Sequence, residues 1–193
     1  MSLAALSLLG GSPCRAAEAD PAAPAVPAEP PEAPFLEGAY YDWSLYGLRE
    51  NDSLVCYLSS GLERSSDNVP RRRPAVILIT NRPTEGRKGI VSVVPGYKYE
   101  PGSSVLVTIG RKQFHLFTAG NAAWAQEGDD APIVAAIRGG STLVVTGHME
   151  SGPATTDTFS LKGFGAALVA LDQACPMPGQ PAQPVHRKRK KKS

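Results

Sequence analysis

Three cysteines (Cys14, Cys56, Cys175), three histidines (His115, His148, His186) and a terminal run of cations are the groups in this chain with chemistry to offer. Cys56 lies in Leu54-Val55-Cys56-Tyr57-Leu58, where strand alternation puts Leu54, Cys56 and Leu58 on one face. Cys175 closes Ser160–Cys175, a segment that reads as a helix. Within it Phe164, Leu168, Leu171 and Cys175 recur at helical spacing and share one stripe. If both surfaces turn to the core, the two sulfurs meet. Their bond closes a loop of roughly 120 residues, for which chain entropy gives about 4 to 5 kcal/mol. The alternative is two separately buried free thiols. No Cys-x-x-Cys pair is present to make a redox site.

The remaining polar groups do not assemble into a catalytic motif. His115 shares a strand face with Gln113 and Phe117 and reads as a surface or edge residue. His148 and Glu150 could approach a metal together, but the spacing supplies no third ligand, so neither a metal site nor a cofactor is expected. Ser59-Ser60 and Thr155-Thr156-Asp157-Thr158 lack the Gly-x-Ser-x-Gly or Ser-x-x-Lys setting of a nucleophile. Thr155 and Thr156 read instead as β-formers entering a strand. Gly139-Gly140 suits the end of a helix, not a phosphate-cradling loop that opens one. The chain is therefore read as non-enzymatic, with an enzyme assembled from distant residues as the alternative. Trp124, among Ala122, Ala123 and Ala125, reads as core. Tyr97 and Tyr99 flank Lys98 ahead of Pro101-Gly102, where aromatics either form a contact surface or fold inward.

Charge is concentrated at one end. Arg187, Lys188, Arg189, Lys190, Lys191 and Lys192 are six of the 20 Lys and Arg, so the rest of the chain sets 14 basic against 18 acidic residues. Such a run binds polyanions by counterion release. Which polyanion depends on compartment. The apolar opening Met1–Gly11 followed by Ala17-Glu18-Ala19 reads as an export signal over 1–19, cut after Ala19. Cys14, ahead of the cut, poses a lipoprotein alternative that Gly11-Ser12-Pro13 fits poorly. Export leaves Cys56 and Cys175, an even count that oxidising compartments pair. It also directs the tail to anionic phospholipid or lipopolysaccharide at the envelope rather than to nucleic acid. A cytosolic chain with this tail would be a polyanion or nucleic-acid binder.

The elements that must position these groups are mainly strands. With 193 residues and 42% hydrophobic composition, one domain with its own core is expected. Residues 20–34 are almost all Ala, Pro and Glu, a spacer composition. The domain is placed at 35–175 and a disordered basic tail at 176–193. Val105, Val107 and Ile109 alternate with Leu106 and Thr108, and Gly110-Arg111 turns the chain into Gln113–Phe117: a hairpin. Ala75–Thr80 is apolar without alternation, as for a strand covered on both faces. Further strands are expected at 42–46, 54–58, 90–94, 142–146 and 156–161. A short helix is capped by Asp130, has Pro132 in its first turn and stops at Gly139-Gly140. The fold class is mainly β, an antiparallel sandwich or partly open barrel with one short internal helix and a C-terminal helix.

Several stretches together resemble the invasion-associated locus B family of exported alphaproteobacterial proteins. They include Cys56-Tyr57-Leu58-Ser59-Ser60, Thr80-Asn81-Arg82-Pro83, Gly96-Tyr97, Phe114-His115-Leu116-Phe117, Ala123-Trp124-Ala125, Ala135–Ser141 and Thr155–Phe164. The resemblance runs from about Asp42-Trp43 to Cys175. It implies a β-rich periplasmic or envelope domain, associated in some pathogens with entry into host cells and without known enzymatic activity.

Overall fold

Alternation of apolar residues with period two dominates the chain, and most of it folds as strands. The structure is a computed structural model that describes residues 33–51, 53–65 and 72–179. Residues 1–19, read from the sequence as an export signal, most of the expected spacer over 20–34 and all but residues 176–179 of the expected basic tail over 176–193 lie outside the described residues. The strands are β1 (Phe35–Tyr40), β2 (Trp43–Glu50), β3 (Ser53–Gly61), β4 (Arg64–Ser65), β5 (Val76–Arg82), β6 (Arg87–Val94), β7 (Ser104–Ile109), β8 (Lys112–Ala119), β9 (Ala122–Ala125), β10 (Thr142–His148) and β11 (Ala154–Ser160). Two α-helices, α1 (Asp130–Gly139) and α2 (Phe164–Ala174), and a single 3-10 turn at Pro83–Glu85 complete the set among the described residues.

One antiparallel sheet holds all eleven strands in the order β1-β2-β3-β5-β6-β9-β8-β7-β10-β11-β4. Its far end returns to its own beginning, because β4 follows β3 after only Leu62 and Glu63. There β11 pairs with β4 through Asp157↔Ser65 and Thr158↔Arg64, and Glu63 N–H donates to the Thr158 carbonyl at 2.9 Å. The sheet is rolled but not closed, the partly open barrel of the sequence reading. Inward residues of every long strand meet in one core: Leu45, Leu58, Ile77, Ile79, Val91, Val93, Val105, Val107, Leu116, Leu143, Val145 and Phe159. The expected hairpin is present, with Val105↔Leu116 and Ile109↔Lys112 in register across Gly110-Arg111.

Three sequence expectations are corrected. Strand β5 is buried on its inner face only; Val76, Leu78 and Thr80 are half-exposed on the outside, because no second layer covers the sheet there. Asp130 does not cap α1. The N-cap is Asp129, while Asp130 begins the helix and its Oδ1 accepts the Val91 N–H at 2.8 Å, tying α1 to β6. Helix α2 starts at Phe164 and not at Ser160, since Ser160 still pairs with Thr142 in β11. The break is Gly163, at φ 93°, where an added Cβ would fall 2.0 Å from the Tyr40 carbonyl oxygen. Only glycine fits there. Strands β4 and β9 are too short for sequence reading to find, and β1, largely exposed, has no alternating apolar face to reveal it.

Helix α2 lies over β2 and β3 and buries Phe164, Ala167 and Leu171. The Phe164 ring meets Trp43 at 4.8 Å between centroids, tilted by 58°. Burial of each such large side chain contributes about 1.5 to 3 kcal/mol.

Candidate functional site

Three places in the fold gather side chains beyond the needs of a plain core. The first is the sulfur bridge. Cys56 and Cys175 are joined, with Cα atoms 5.9 Å apart and both residues buried. β3 turns Cys56 inward, and the stripe on α2 brings Cys175 down onto it. The bridge fastens the C-terminal end of α2 to β3, the third strand from the β1 edge of the sheet.

The second place is the seam where β11 meets β4. Asp157 is 1% exposed, on the inner face of β11. Arg72 reaches in from the segment before β5 and grips both carboxylate oxygens of Asp157, one of them at 2.8 Å. Its Nε donates to the Pro95 carbonyl at 2.7 Å and its Nη1 to Ser65 Oγ at 3.0 Å. Burial opposes the guanidinium charge, but the hydrogen bond and charge of Asp157 outweigh it, and the Arg72 pKa is raised above its ordinary value. The guanidinium also lies 5.0 Å above the Tyr97 ring. The Tyr97 hydroxyl meets Thr155 Oγ1 at 2.5 Å, and its ring meets Tyr99 edge-on at 5.4 Å.

Tyr99 is thus a core residue, 4% exposed, and Tyr97 is half-buried in the same seam. Neither forms an exposed contact surface. A bridge to Met149 holds the Tyr99 backbone, and Gly147 leaves room for its ring: a Cβ there would sit 2.6 Å from Tyr99 Cε1. Burial pushes the Tyr99 hydroxyl pKa up, and among the described residues that hydroxyl has no hydrogen-bond partner. Of the two alternatives the sequence left open for this loop, contact surface or inward fold, the inward one holds for Tyr99, decided by a bridge between segments fifty residues apart.

The third place is on the outside of the barrel. Trp124, expected in the core, is 36% exposed, and Phe117, its cross-strand partner, is 43% exposed. The reason is register: Ala123 takes the inward position of β9, so its neighbour must face out. The two aromatics share a cleft of about 380 Å³ with Ile90, Ala119, Ala125, Arg82, Arg87 and Asp130. Arg82 and Arg87 stand opposite one another on β5 and β6. Arg82 is paired with Glu50 at 2.8 Å and Glu85 at 3.1 Å. Arg87 forms no ion pair among the described residues.

A family model for invasion associated locus B (IalB) protein matches residues 43–172. The chain belongs to that family. The crystal structure of invasion associated protein B from Bartonella henselae is similar in fold to it, with a TM-score of 0.51 and 18% sequence identity over 72% of this chain and 98% of that one. Among curated proteins none matches the chain.

Within this invasion associated locus B domain, the other groups singled out in the sequence stay apart. His115 is exposed, with Nδ1 3.3 Å from Ser104 Oγ. His148 and Glu150 are exposed, and among the described residues no group of three or more His, Cys, Asp or Glu could hold a metal ion. Thr155 and Thr156 enter β11 as expected of β-formers. A shallow apolar groove of about 710 Å³ separates α1 from α2 along Ala131, Val134, Ala135 and Leu168, with the Lys88–Asp172 pair at its rim. No helix among the described residues is long and apolar enough to cross a membrane. The cations 187–192 lie outside the described residues. Sequence reasoning missed Arg72, Asp157 and Arg87. An inward aspartate in the alternating run Thr155, Asp157, Phe159 was the one available signal for the seam.

Proposed function

We propose that this member of the invasion associated locus B family is a non-enzymatic, exported binding and structural module of the cell envelope, serving envelope integrity or contact with host cells. Its spacer holds the disulfide-closed domain off its point of attachment, and its cationic tail rests on anionic phospholipid or lipopolysaccharide. The observation that carries the reading is the buried Cys56–Cys175 bridge, since such bonds form and persist in oxidising compartments. Six adjacent cations at an anionic surface contribute about 1 kcal/mol each.

Fractionation with alkylation of the native, non-reduced protein tests the compartment. Recovery in the periplasm with both thiols blocked supports it; a cytosolic pool with alkylatable Cys56 and Cys175 refutes it. For the tail, deleting Arg187–Lys192 abolishes salt-sensitive binding to anionic vesicles and leaves the melting temperature unchanged. Vesicle binding that survives the deletion removes the tail from the reading.

A further inference from the structure

The outer cleft, lined by β5, β6, β8, β9 and the start of α1, combines exposed aromatics with arginines. An exposed tryptophan and phenylalanine lie side by side on the solvent face of a sheet, where polar residues are the rule. Two arginines face each other across β5 and β6, a like-charge arrangement that costs stability in a strand pair. Glu50 and Glu85 neutralise Arg82, whereas Arg87 keeps its guanidinium donors free of any ion pair among the described residues. Asp130, also on the rim, accepts the Val91 N–H on its Oδ1 and is attracted electrostatically to Arg87 without forming an ion pair with it, so a ligand carboxylate on Arg87 competes with this one. The small side chains of Ala119 and Ala125 leave the cleft shallow beside the rings.

From this geometry we infer that the cleft binds a carboxylate-bearing sugar of an envelope glycan, its pyranose ring laid on Trp124 and Phe117 and its carboxylate held by Arg87. The aromatic faces carry negative charge that attracts the C–H face of a pyranose. A guanidinium grips a planar carboxylate in a two-point fork. The volume of about 380 Å³ falls in the lower part of the ligand-pocket range. An extended peptide cannot add as a strand here, because β9 is paired on both edges, to β6 and β8. The site rests on the geometry alone; assignment of the glycan to the envelope rests on the exported reading above.

The chain supplies its own reporter. Of its two tryptophans Trp43 is fully buried, so a ligand-induced change in emission reads Trp124. The full chain is titrated with the delipidated core oligosaccharide of lipopolysaccharide, with a neutral dextran hexamer and with a heparin hexasaccharide. A saturable change is expected with the core oligosaccharide at an affinity at least tenfold above dextran and above heparin. Arg87→Ala and Arg87→Gln weaken it at least tenfold, and Trp124→Ala, followed by calorimetry, does the same. A full-length variant with Arg187–Lys192 all changed to Gln keeps the response. The site is overturned by an absent or dextran-equal response, or by Arg87 variants of unchanged affinity. A response lost with the tail charges also overturns it, while leaving the tail reading intact. A preference for heparin overturns the envelope assignment.

Discussion

Replacing both bridge cysteines with alanine, Cys56→Ala with Cys175→Ala, isolates what the sulfur bond contributes without leaving a thiol or hydroxyl in the core. The bond joins residues separated by 119 positions. In the chain-entropy treatment a loop of that length removes about 16 cal/mol/K from the unfolded ensemble, or about 5 kcal/mol at 25 °C. The cysteines are buried, so losing their sulfurs adds a smaller packing cost. Domains of this size have a total stability of about 5 to 15 kcal/mol, so a third or more of it rides on one covalent bond. Urea unfolding followed by circular dichroism measures the loss. Two changes are expected together: a fall of about 5 kcal/mol in the extrapolated stability, and a steeper dependence on urea, because an unfolded chain freed of the loop exposes more surface. Oxidised and reduced wild type should differ in the same way. A loss below about 1 kcal/mol with an unchanged slope would refute the argument that the bridge acts by holding the unfolded chain together.

The seam gives the next expectation: Asp157→Ala strands the buried Arg72 guanidinium and lowers stability by about 3 to 5 kcal/mol in thermal or urea unfolding. A cost near that of an average surface substitution would show that solvent, not Asp157, satisfies Arg72. Asp130 gives a pH signature. Burial raises its pKa against the Val91 hydrogen bond, so its contribution is fully present below the unfolded value near 4 and is lost as pH rises through the folded value. Asp130→Asn keeps an acceptor for Val91 and cannot ionise; its melting temperature should gain on wild type between pH 4 and 7. A flat or inverted difference across that interval contradicts the shift.

The sequence by itself determined most of the longer elements and the polarity of several. Period-two alternation grouped the residues of β3 and β7 by face, and helical spacing turned Phe164, Leu171 and Cys175 to one side, because both signals depend only on local geometry. The pairing of Cys56 with Cys175 was legible for the same reason: each residue's face could be read from its own segment. What no local pattern carries is register and closure. Trp124 has small neighbours that suit a core, yet the pairing Phe117↔Trp124 sends it outward and Ala123 inward. Tyr99 sits in a loop of turn-forming residues, yet its bridge to Met149 folds it into the seam. Arg72 and Asp157 are 85 residues apart, and only the return of β11 to β4 brings them together. A one-residue slip reverses every side chain of a strand, so which aromatic meets solvent and which charge is buried belong to the assembled sheet rather than to any stretch within it.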